Sequence, residues 1–148
     1  MVAAADSRKD LTTTIHLTAL RSVESSLHRL IEESGPELIE VLNGLSGDAA
    51  MLVSLIGPNK GARYLLEQGT TRVGRATSNE IFLDDVTVSR KHAEISKDGT
   101  NYILKDLDSL NGTYLNGELV GEANLSDGDE LQIGKFRMHF FTGGKVRS

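Results

Sequence analysis

The sequence predicts a mainly β protein, a single β-sandwich that follows a partly helical or flexible N-terminal extension. From about Leu52 onward, short apolar or β-branched runs are interrupted by Gly, Asn and Asp, which is typical of sandwiches and barrels. Before residue 48, apolar residues instead recur at helical spacing. A chain of 148 residues has room for one domain with a proper core and an appendage.

Ten short strands are predicted in the C-terminal part of the chain. They are residues 51–56, 62–68, 71–74, 80–83, 92–96, 101–107, 113–115, 117–120, 129–134 and 136–141. Asn116 and Gly117 favour a type I′ hairpin because both residues tolerate positive φ. The segments PNKG (58–61), KDGT (97–100) and SDGD (126–129) predict further turns. Turn chemistry and strand pattern therefore agree on one sandwich.

The first 48 residues are predicted to contain two helices. Five apolar residues share one helical face, with charged residues between them: Leu20, Val23, Leu27, Leu30 and Ile31. Ser34 and Glu37 are spaced as a capping box for a second short helix that Asn43 and Gly44 would end. Three roles remain open: the helices cover part of the sandwich, they bind a partner or a second copy, or they are induced within a flexible tail.

The predicted organisation has three parts. An N-terminal regulatory or docking extension occupies 1–48, the sandwich domain occupies 49–143, and a C-terminal tail occupies 144–148. No apolar run approaches the ~20 residues that a membrane span requires, and the start MVAAADSRKD lacks the apolar segment of a signal peptide. We therefore expect a cytoplasmic protein without a membrane partner.

Composition argues against several classes of function. The formal net charge of −5 opposes nucleic-acid binding, which relies on many uncompensated Lys and Arg side chains. The absence of cysteine excludes a disulfide framework and a thiolate zinc site. The four histidines show no metal-ligand spacing, so neither a metal nor a cofactor is expected.

Three predicted loops carry an unusual set of polar residues: 74–79, 86–92 and 108–113. A sandwich collects its loops at its two ends, so that residues far apart in sequence can converge on one rim. Gly74-Arg75, then Ser89 to His92, then Asn111-Gly112-Thr113 together resemble the signature of forkhead-associated (FHA) domains. The resemblance covers positions 51–141 and implies an eleven-strand, FHA-type β-sandwich that binds phosphothreonine peptides through the loops at one end.

The residue chemistry fits that role. A phosphothreonine brings ~1.5 to 2 negative charges and three acceptor oxygens, and the guanidinium of Arg75 can engage two of those oxygens at once. Ser89 supplies a hydroxyl, and its backbone N–H and that of Arg90 are candidate donors. The family pattern implies a second phosphate contact at Arg90, a peptide-backbone contact at Asn111, and a place for Leu110 in the binding set.

Four further residues are expected to shape the binding loops: Gly74, His92, Gly112 and Thr113. Gly112 would let the chain turn tightly without a Cβ penalty, and the family pattern implies an architectural, hydrogen-bonding role for His92. The alternative interpretations are a surface salt bridge from Arg75 to Asp84 or Glu80, and an ordinary hairpin turn at Asn111 and Gly112.

Two catalytic interpretations are rejected. Ser89, His92 and Asp84 or Asp85 resemble a hydrolase triad, but a Ser and a His three apart on an extended segment would face opposite sides, and no G-x-S-x-G elbow exists. The run GDELQIGKF resembles a P-loop, but five residues separate its glycines instead of four, and Phe136 replaces the required Ser or Thr. We therefore expect no enzymatic activity.

A closer resemblance lies in the runs NEIFLDDVTVSRKHAEI, SLNGTYLNGE and GDELQIGKFRMHFFTG. They are similar to the small actinobacterial FHA regulators of 2-oxoglutarate metabolism. In that group the free FHA domain docks on metabolic enzymes, and phosphorylation of an N-terminal threonine by a Ser/Thr kinase makes the tail fold back onto the domain.

The threonines Thr12, Thr13 and Thr14, followed by Ile15, resemble the phosphorylated segment of that group, although Leu11 and His16 stand where the group has an acid and an aromatic residue. Two hypotheses follow. The chain is a kinase-controlled switch whose own phosphorylated tail is one ligand. Alternatively, it is an adaptor that binds phosphothreonine on other proteins and dimerises or docks through its N-terminal helices.

Overall fold

The computed structural model describes residues 26–66 and 69–147. Contacts assign helical residues 26–33 (α1) to one unit and the chain from Ser34 onward to another, and each is described by itself. Within α1, His28 Nε2 lies 2.9 Å from Glu32 Oε1, an i,i+4 pair. The earlier part of the expected first helix, with Leu20 and Val23, and the threonines at 12–14 lie outside the described residues.

Eleven strands form two sheets within the described part of the chain. They are β1 (Ala50–Ile56), β2 (Arg63–Leu66), β3 (Thr70–Gly74), β4 (Ile81–Phe82), β5 (Ala93–Asp98), β6 (Asn101–Asp106), β7 (Thr113–Leu115), β8 (Glu118–Val120), β9 (Glu122–Leu125), β10 (Glu130–Ile133) and β11 (Phe136–Thr142). The mainly β prediction and the eleven strands implied by the FHA resemblance are confirmed. The residue pattern had missed β9, whose four residues follow β8 after Gly121 alone.

The two sheets face each other across one core. The six-stranded sheet has the order β2-β1-β11-β10-β7-β8, and the five-stranded sheet has the order β4-β3-β5-β6-β9. Alternate residues of each strand point inward, and fully buried side chains such as Leu52, Phe140 and Leu104 fill the interior. Tyr102 and Phe140 join the sheets by an edge-to-face contact with ring centroids 5.4 Å apart.

A second helix, α2 (Pro36–Asn43), lies over the outer face of the six-stranded sheet. Glu37 Oε1 accepts a hydrogen bond of 3.2 Å from Arg63 of β2, and Asn43 bonds to the backbone of Arg147 after β11. Leu38 and Leu42 are fully buried. For α2, the interpretation that the helices cover part of the sandwich is therefore correct.

The ends of α2 agree with the prediction at one terminus and differ at the other. Gly44 ends the helix as expected, and its amide donates to Glu40 O over 3.0 Å. The predicted capping box is wrong: the N-cap residue is Gly35, with no side-chain cap bond, and Pro36 occupies the first turn. Proline suits that position because its φ is already helical and it has no N–H to satisfy.

Strand pairing fixes which loops share an end of the sandwich. Val73 pairs with Ala93, Ala93 pairs with Asp106, and Ile133 pairs with Thr113. The loops 75–80, 83–92 and 107–112 and the turn at Gly134 and Lys135 therefore lie at one end, called here the loop rim. The hairpin predicted at Asn116 and Gly117 is confirmed, with φ values of 51° and 84°.

None of the helices among the residues that the structure describes has the length and hydropathy needed to cross a bilayer.

Candidate functional site

Backbone hydrogen bonds join the three polar loops of the loop rim. The amide of Arg75 donates to Ser89 O over 2.9 Å, and the amide of Ala76 donates to Arg90 O over 3.2 Å. The amide of Leu110 donates to Ser89 Oγ over 3.0 Å. Three segments distant in sequence therefore meet around Ser89, and the structure brings together Arg75, Ser89, Arg90 and Leu110.

Gly74 and Asn79 permit the close approach of the first two loops. A Cβ atom added to Gly74 would lie 2.2 Å from Arg90 O, so only glycine fits. Asn79, which is 9% exposed, donates from Nδ2 to Ala76 O over 2.8 Å and to Arg90 O over 2.9 Å. Sequence reasoning had included Gly74 and had missed Asn79, which lies four residues after Arg75.

The cations of the loop rim are exposed and lack acidic partners. Arg75, Arg90 and Lys91 are exposed, and none of the three takes part in an ion pair within residues 26–66 and 69–147. Glu80, one proposed partner of Arg75, instead accepts a 2.6 Å bond from the amide of Arg72 and lies 3.8 Å from its guanidinium. The guanidinium of Arg75 is thus available to an external anion.

His92 is fully buried and links two loops through both ring nitrogens. The amide of Ser89 donates to Nδ1 over 3.1 Å. Since Nδ1 must then be the acceptor, Nε2 carries the proton and donates to Gly112 O over 2.8 Å. The predicted donor role of the Ser89 amide toward a ligand is therefore wrong, because that amide is already bonded.

The hydrolase triad fails for a reason other than the one given by sequence. Residues 84–92 form turns and bends, and Ser89 and His92 are adjacent instead of facing opposite sides. The ring nitrogens of His92 are nonetheless both engaged with backbone groups, so that neither can take a proton from the Ser89 hydroxyl. Ser89 Oγ accepts from Leu110, and its own hydrogen makes no bond within the part of the chain that the structure describes.

Asp106 organises the third loop. Its carboxylate accepts from the Ser109 hydroxyl over 2.5 Å, the Ser109 amide over 3.1 Å and the buried Thr113 hydroxyl over 2.6 Å. Burial opposes ionisation, but these hydrogen bonds prevail and lower the pKa of Asp106. Ser109 Oγ in turn accepts from Gly112 N over 3.0 Å. Sequence reasoning had missed Asp106 and Ser109, although their three-residue spacing is that of a side-chain turn.

Asn111 is exposed, and its carboxamide lies at the same loop rim as Arg75, Ser89 and Arg90. Its Nδ2 donates to Thr87 O over 2.9 Å, while Oδ1 and the second amide hydrogen make no bond to any described residue. Gly112 has a φ of 84°, where glycine is strongly favoured. The alternative of an ordinary hairpin is wrong, because β6 and β7 belong to different sheets.

A groove adjoins Asn111 on the side of the β7–β8 hairpin. Two exposed leucines flank it, Leu110 at 88% and Leu119 at 67% exposure. Its lining consists of Asp106, Ser109, Leu110, Asn111, Gly112, Tyr114, Leu119, Val120 and Gly121. The site thus combines two guanidinium groups without an ion pair among the described residues, a hydroxyl, a carboxamide that retains one acceptor and one donor, and a partly apolar groove. No group of three or more potential metal-ligating side chains occurs in the described ranges.

Several known proteins are similar to this chain in sequence or in fold. The family model of the FHA domain matches residues 71–134. An oxoglutarate dehydrogenase inhibitor from Corynebacterium jeikeium is 45% identical over 136 residues, which cover 92% of this chain and 90% of the relative. A glycogen accumulation regulator, GarA, from Mycolicibacterium smegmatis is 54% identical over 104 residues, which cover 70% of this chain and 66% of the relative.

A solved FHA structure, from a structural and functional analysis of phosphothreonine-dependent FHA domain interactions, is 34% identical with a TM-score of 0.59. The match covers 64% of this chain and 96% of that one. The resemblance to FHA regulators that the sequence motifs indicated is confirmed by these relatives. Because identity extends over most of a relative's length and the family model spans all three polar loops, this chain belongs to the FHA domain family.

Proposed function

We propose that this protein is a non-catalytic module that binds phosphothreonine peptides at the loop rim. The observation that carries the proposal is the combination of Arg75 and Arg90, exposed and without an ion pair among the described residues, with the free hydroxyl hydrogen of Ser89. The protein has a net charge of −5, yet no acidic residue among those described pairs with Arg75 or Arg90 at this end of the sandwich. An external anion is the natural partner.

The donor set suits a phosphate ester on a peptide better than a free anion. Arg75 can donate two parallel hydrogen bonds to a dianionic phosphate, and Ser89 can donate one from its hydroxyl. Asn111 offers one acceptor and one donor, the pair that an extended peptide backbone requires. The groove beyond Asn111 can receive side chains that flank the phosphorylated residue.

The relatives suggest the cellular context of this binding. One is named an oxoglutarate dehydrogenase inhibitor and another a glycogen accumulation regulator. By analogy, the protein regulates enzymes of 2-oxoglutarate metabolism by docking on them, and a Ser/Thr kinase controls that docking.

The ligand of the control step is the chain's own N-terminal segment, phosphorylated at Thr12, Thr13 or Thr14. Residues 15–33 join Thr14 to the sandwich unit, which begins at Ser34. An intramolecular ligand acts at an effective concentration on the order of millimolar, so that even a weak contact would close the switch.

A phosphothreonine peptide array tests the binding proposal. The intact protein, the same protein phosphorylated by a Ser/Thr kinase, and a triple Thr→Ala variant at 12–14 are applied to phosphorylated and unphosphorylated copies of each peptide. We expect binding to phosphorylated copies alone, and loss of that binding after kinase treatment of the wild type only. Equal binding to both copies would refute phosphothreonine recognition.

The adaptor alternative gives a different pattern in the same experiment. An adaptor retains its array binding after kinase treatment, because no tail competes for the loop rim. Removing residues 1–33 then abolishes dimerisation or partner capture and leaves peptide affinity unchanged. The deletion stops before α2, since Leu38 and Leu42 are buried parts of the sandwich unit.

A further inference from the structure

A carboxylate and a lysine of the loop rim are not part of the proposed phosphate contacts. Asp85 Oδ1 lies 2.7 Å from Lys135 Nζ, and Asp85 Oδ2 accepts from the amide of Thr87 over 2.8 Å and from its hydroxyl over 2.5 Å. The side chain of Asp85 is 13% exposed. Asp85 therefore holds Thr87 at two points and is itself held by Lys135.

Thr87 connects this cluster to the binding surface. Its hydroxyl oxygen also accepts from the amide of Lys135 over 3.1 Å, and its carbonyl accepts from Asn111 Nδ2 over 2.9 Å. Every polar atom of Thr87, backbone and side chain, is engaged in this network. The orientation of the Asn111 carboxamide thus depends on where Asp85 and Lys135 place Thr87.

The turn that carries Lys135 is pressed against the same residue. Gly134 has a φ of 58°, and a Cβ atom there would lie 2.4 Å from Thr87 Oγ1 and 2.9 Å from Thr87 O. This is the Gly-Lys pair whose sequence superficially resembles a P-loop. In the structure it is a β10–β11 turn, and its lysine faces an internal carboxylate.

We propose that Asp85 and Lys135 are positioning residues of the binding site: through Thr87 they fix the carboxamide of Asn111 in the orientation that reads the peptide backbone. This inference rests on the proposed function and adds a second set of residues to it. Asp85 is suited to the task, because the lysine and the threonine hydroxyl lower its pKa to about 2, so that it stays ionised at any physiological pH.

Asp85→Asn is the variant that isolates this role. Asparagine keeps the shape of the side chain, but it turns one acceptor into a donor that faces either Lys135 or Thr87, both of which are donors themselves. Lys135→Met is the partner variant, since methionine retains an apolar stem and lacks the ammonium. Neither residue is among the proposed ligand contacts.

Asp127 provides a matched control at the opposite end of the sandwich. It accepts from the Thr142 amide over 2.8 Å and hydroxyl over 3.3 Å, and Lys145 Nζ lies 3.4 Å away. Like Asp85, Asp127 thus contacts a threonine and a lysine, and Arg147 is an additional partner. The seven residues of β11, the last of which is Thr142, lead from one cluster to the other and span about 23 Å at ~3.3 Å per residue.

A double-mutant cycle with Asn111 tests the inference. Affinity for a random-flank phosphothreonine peptide library is measured by NMR titration for the wild type, Asp85→Asn, Asn111→Ala, the double variant and Asp127→Asn. We expect Asp85→Asn to weaken binding about tenfold in the wild-type background and less than about twofold in the Asn111→Ala background, because residues in one hydrogen-bond network are not additive. Lys135→Met should behave like Asp85→Asn, and Asp127→Asn should bind as the wild type.

The outcomes separate this inference from the proposed function. Equal losses from Asp85→Asn in both backgrounds would assign it a merely structural role and overturn the inference, as would wild-type affinity in Asp85→Asn. A wild-type protein that binds no member of the library would instead refute phosphothreonine binding itself. The side-chain amide signals of Asn111 give a readout without ligand: they shift in Asp85→Asn if the carboxamide is positioned as proposed, and unchanged signals would also overturn it.

Discussion

The two ends of the sandwich use the same residue types for different purposes. At the end of β11 that carries the C-terminal residues, Arg147 pairs with Asp127 and stacks over Phe141 with a distance of 5.3 Å to the ring centroid. At the loop rim, Arg75 and Arg90 are exposed, and no acid pairs with either among the described residues. The cations of one end stabilise the fold, whereas those of the other end are left for a ligand.

The largest expected effect comes from replacing one arginine by alanine at each end of the sandwich, Arg75 at the loop rim and Arg147 at the opposite end. Arg75→Ala should weaken phosphothreonine-peptide binding at least ~100-fold, because two charge-assisted hydrogen bonds contribute ~1.5 to 3 kcal/mol each, and it should leave the melting temperature unchanged. Arg147→Ala should lower the melting temperature and leave affinity within about twofold. Calorimetric titration and thermal melts of both variants check this.

Arg75→Lys refines the same comparison. A lysine keeps the charge but cannot donate two parallel hydrogen bonds. We therefore expect Arg75→Lys to lose most of the affinity for phosphothreonine peptides and still to bind them more tightly than Arg75→Ala. A result in which Lys restores full affinity would show that charge alone is recognised.

The buried histidines provide the second comparison. His92→Leu leaves the Ser89 amide and Gly112 O without partners, and should cost about 2 to 5 kcal/mol in the free energy of unfolding. His139, at 5% exposure, has a ring Nδ1 without a hydrogen-bond partner among the described residues. His139→Leu should therefore change stability by less than about 1 kcal/mol. Similar losses in urea unfolding of the two variants would contradict this assignment.

Substitutions at two glycines test how tightly the loops of the loop rim are packed. Gly74→Ala should destabilise the domain by about 1 to 3 kcal/mol and weaken binding, because its Cβ would collide with the carbonyl of Arg90. Gly47→Ala, next to Gly144 and away from the loop rim, is the matched control, since a Cβ there meets nothing within 4 Å. Wild-type unfolding free energy and affinity in Gly74→Ala would show that the loops are not held as described.

The smallest effect is the pH dependence of binding. The pKa of Asp85 is lowered to about 2 and that of Asp106 is also lowered, so the stability that these carboxylates contribute is fully present above pH ~4. Between pH 7.5 and 5.5 the ligand's phosphate, with a second pKa of ~6, loses most of its dianionic form, and affinity should fall about fourfold.

The control for this experiment is the stability of the protein at the same two pH values. Burial lowers the pKa of His139, partly offset by Glu130, so the unfolded chain takes up a proton as the pH falls through ~6.5 and stability decreases. Thermal melts at both pH values separate that loss from weaker binding. Affinity that rises on acidification would contradict recognition of a dianion.

The sequence predicted the ligand-facing residues of the loop rim better than the residues that hold its loops in place. Arg75, Ser89 and Asn111 were found because their side-chain chemistry and loop positions match an anion receptor. Asn79 and Asp106 were missed because they act by accepting or donating within loops, which composition does not reveal. The segment 84–92 differs from the extended conformation that the sequence suggested, because a turn anchored by the carboxylate of Asp85 bends it, and Ser89 lies beside His92.

Two features of the fold could not be predicted from the residue pattern, because contacts with residues distant in sequence decide them. The strand β9 has only two inward-facing apolar residues, Ala123 and Leu125, and pairing with β6 decides its conformation. The cap of α2 depends on Pro36 and on the tertiary contact of Glu37 with Arg63, and therefore the capping-box spacing was misleading.

Mapping of amide shifts on the intact protein tests the central claim most directly. On titration with the phosphothreonine peptide library, we expect the largest shifts at Arg75, Ser89 and Asn111 and none at Asp127 or Arg147, with no response to the unphosphorylated library. Shifts centred on the Asp127 end, or identical responses to both libraries, would show that the unpaired cations of the loop rim are not a receptor for phosphorylated threonine.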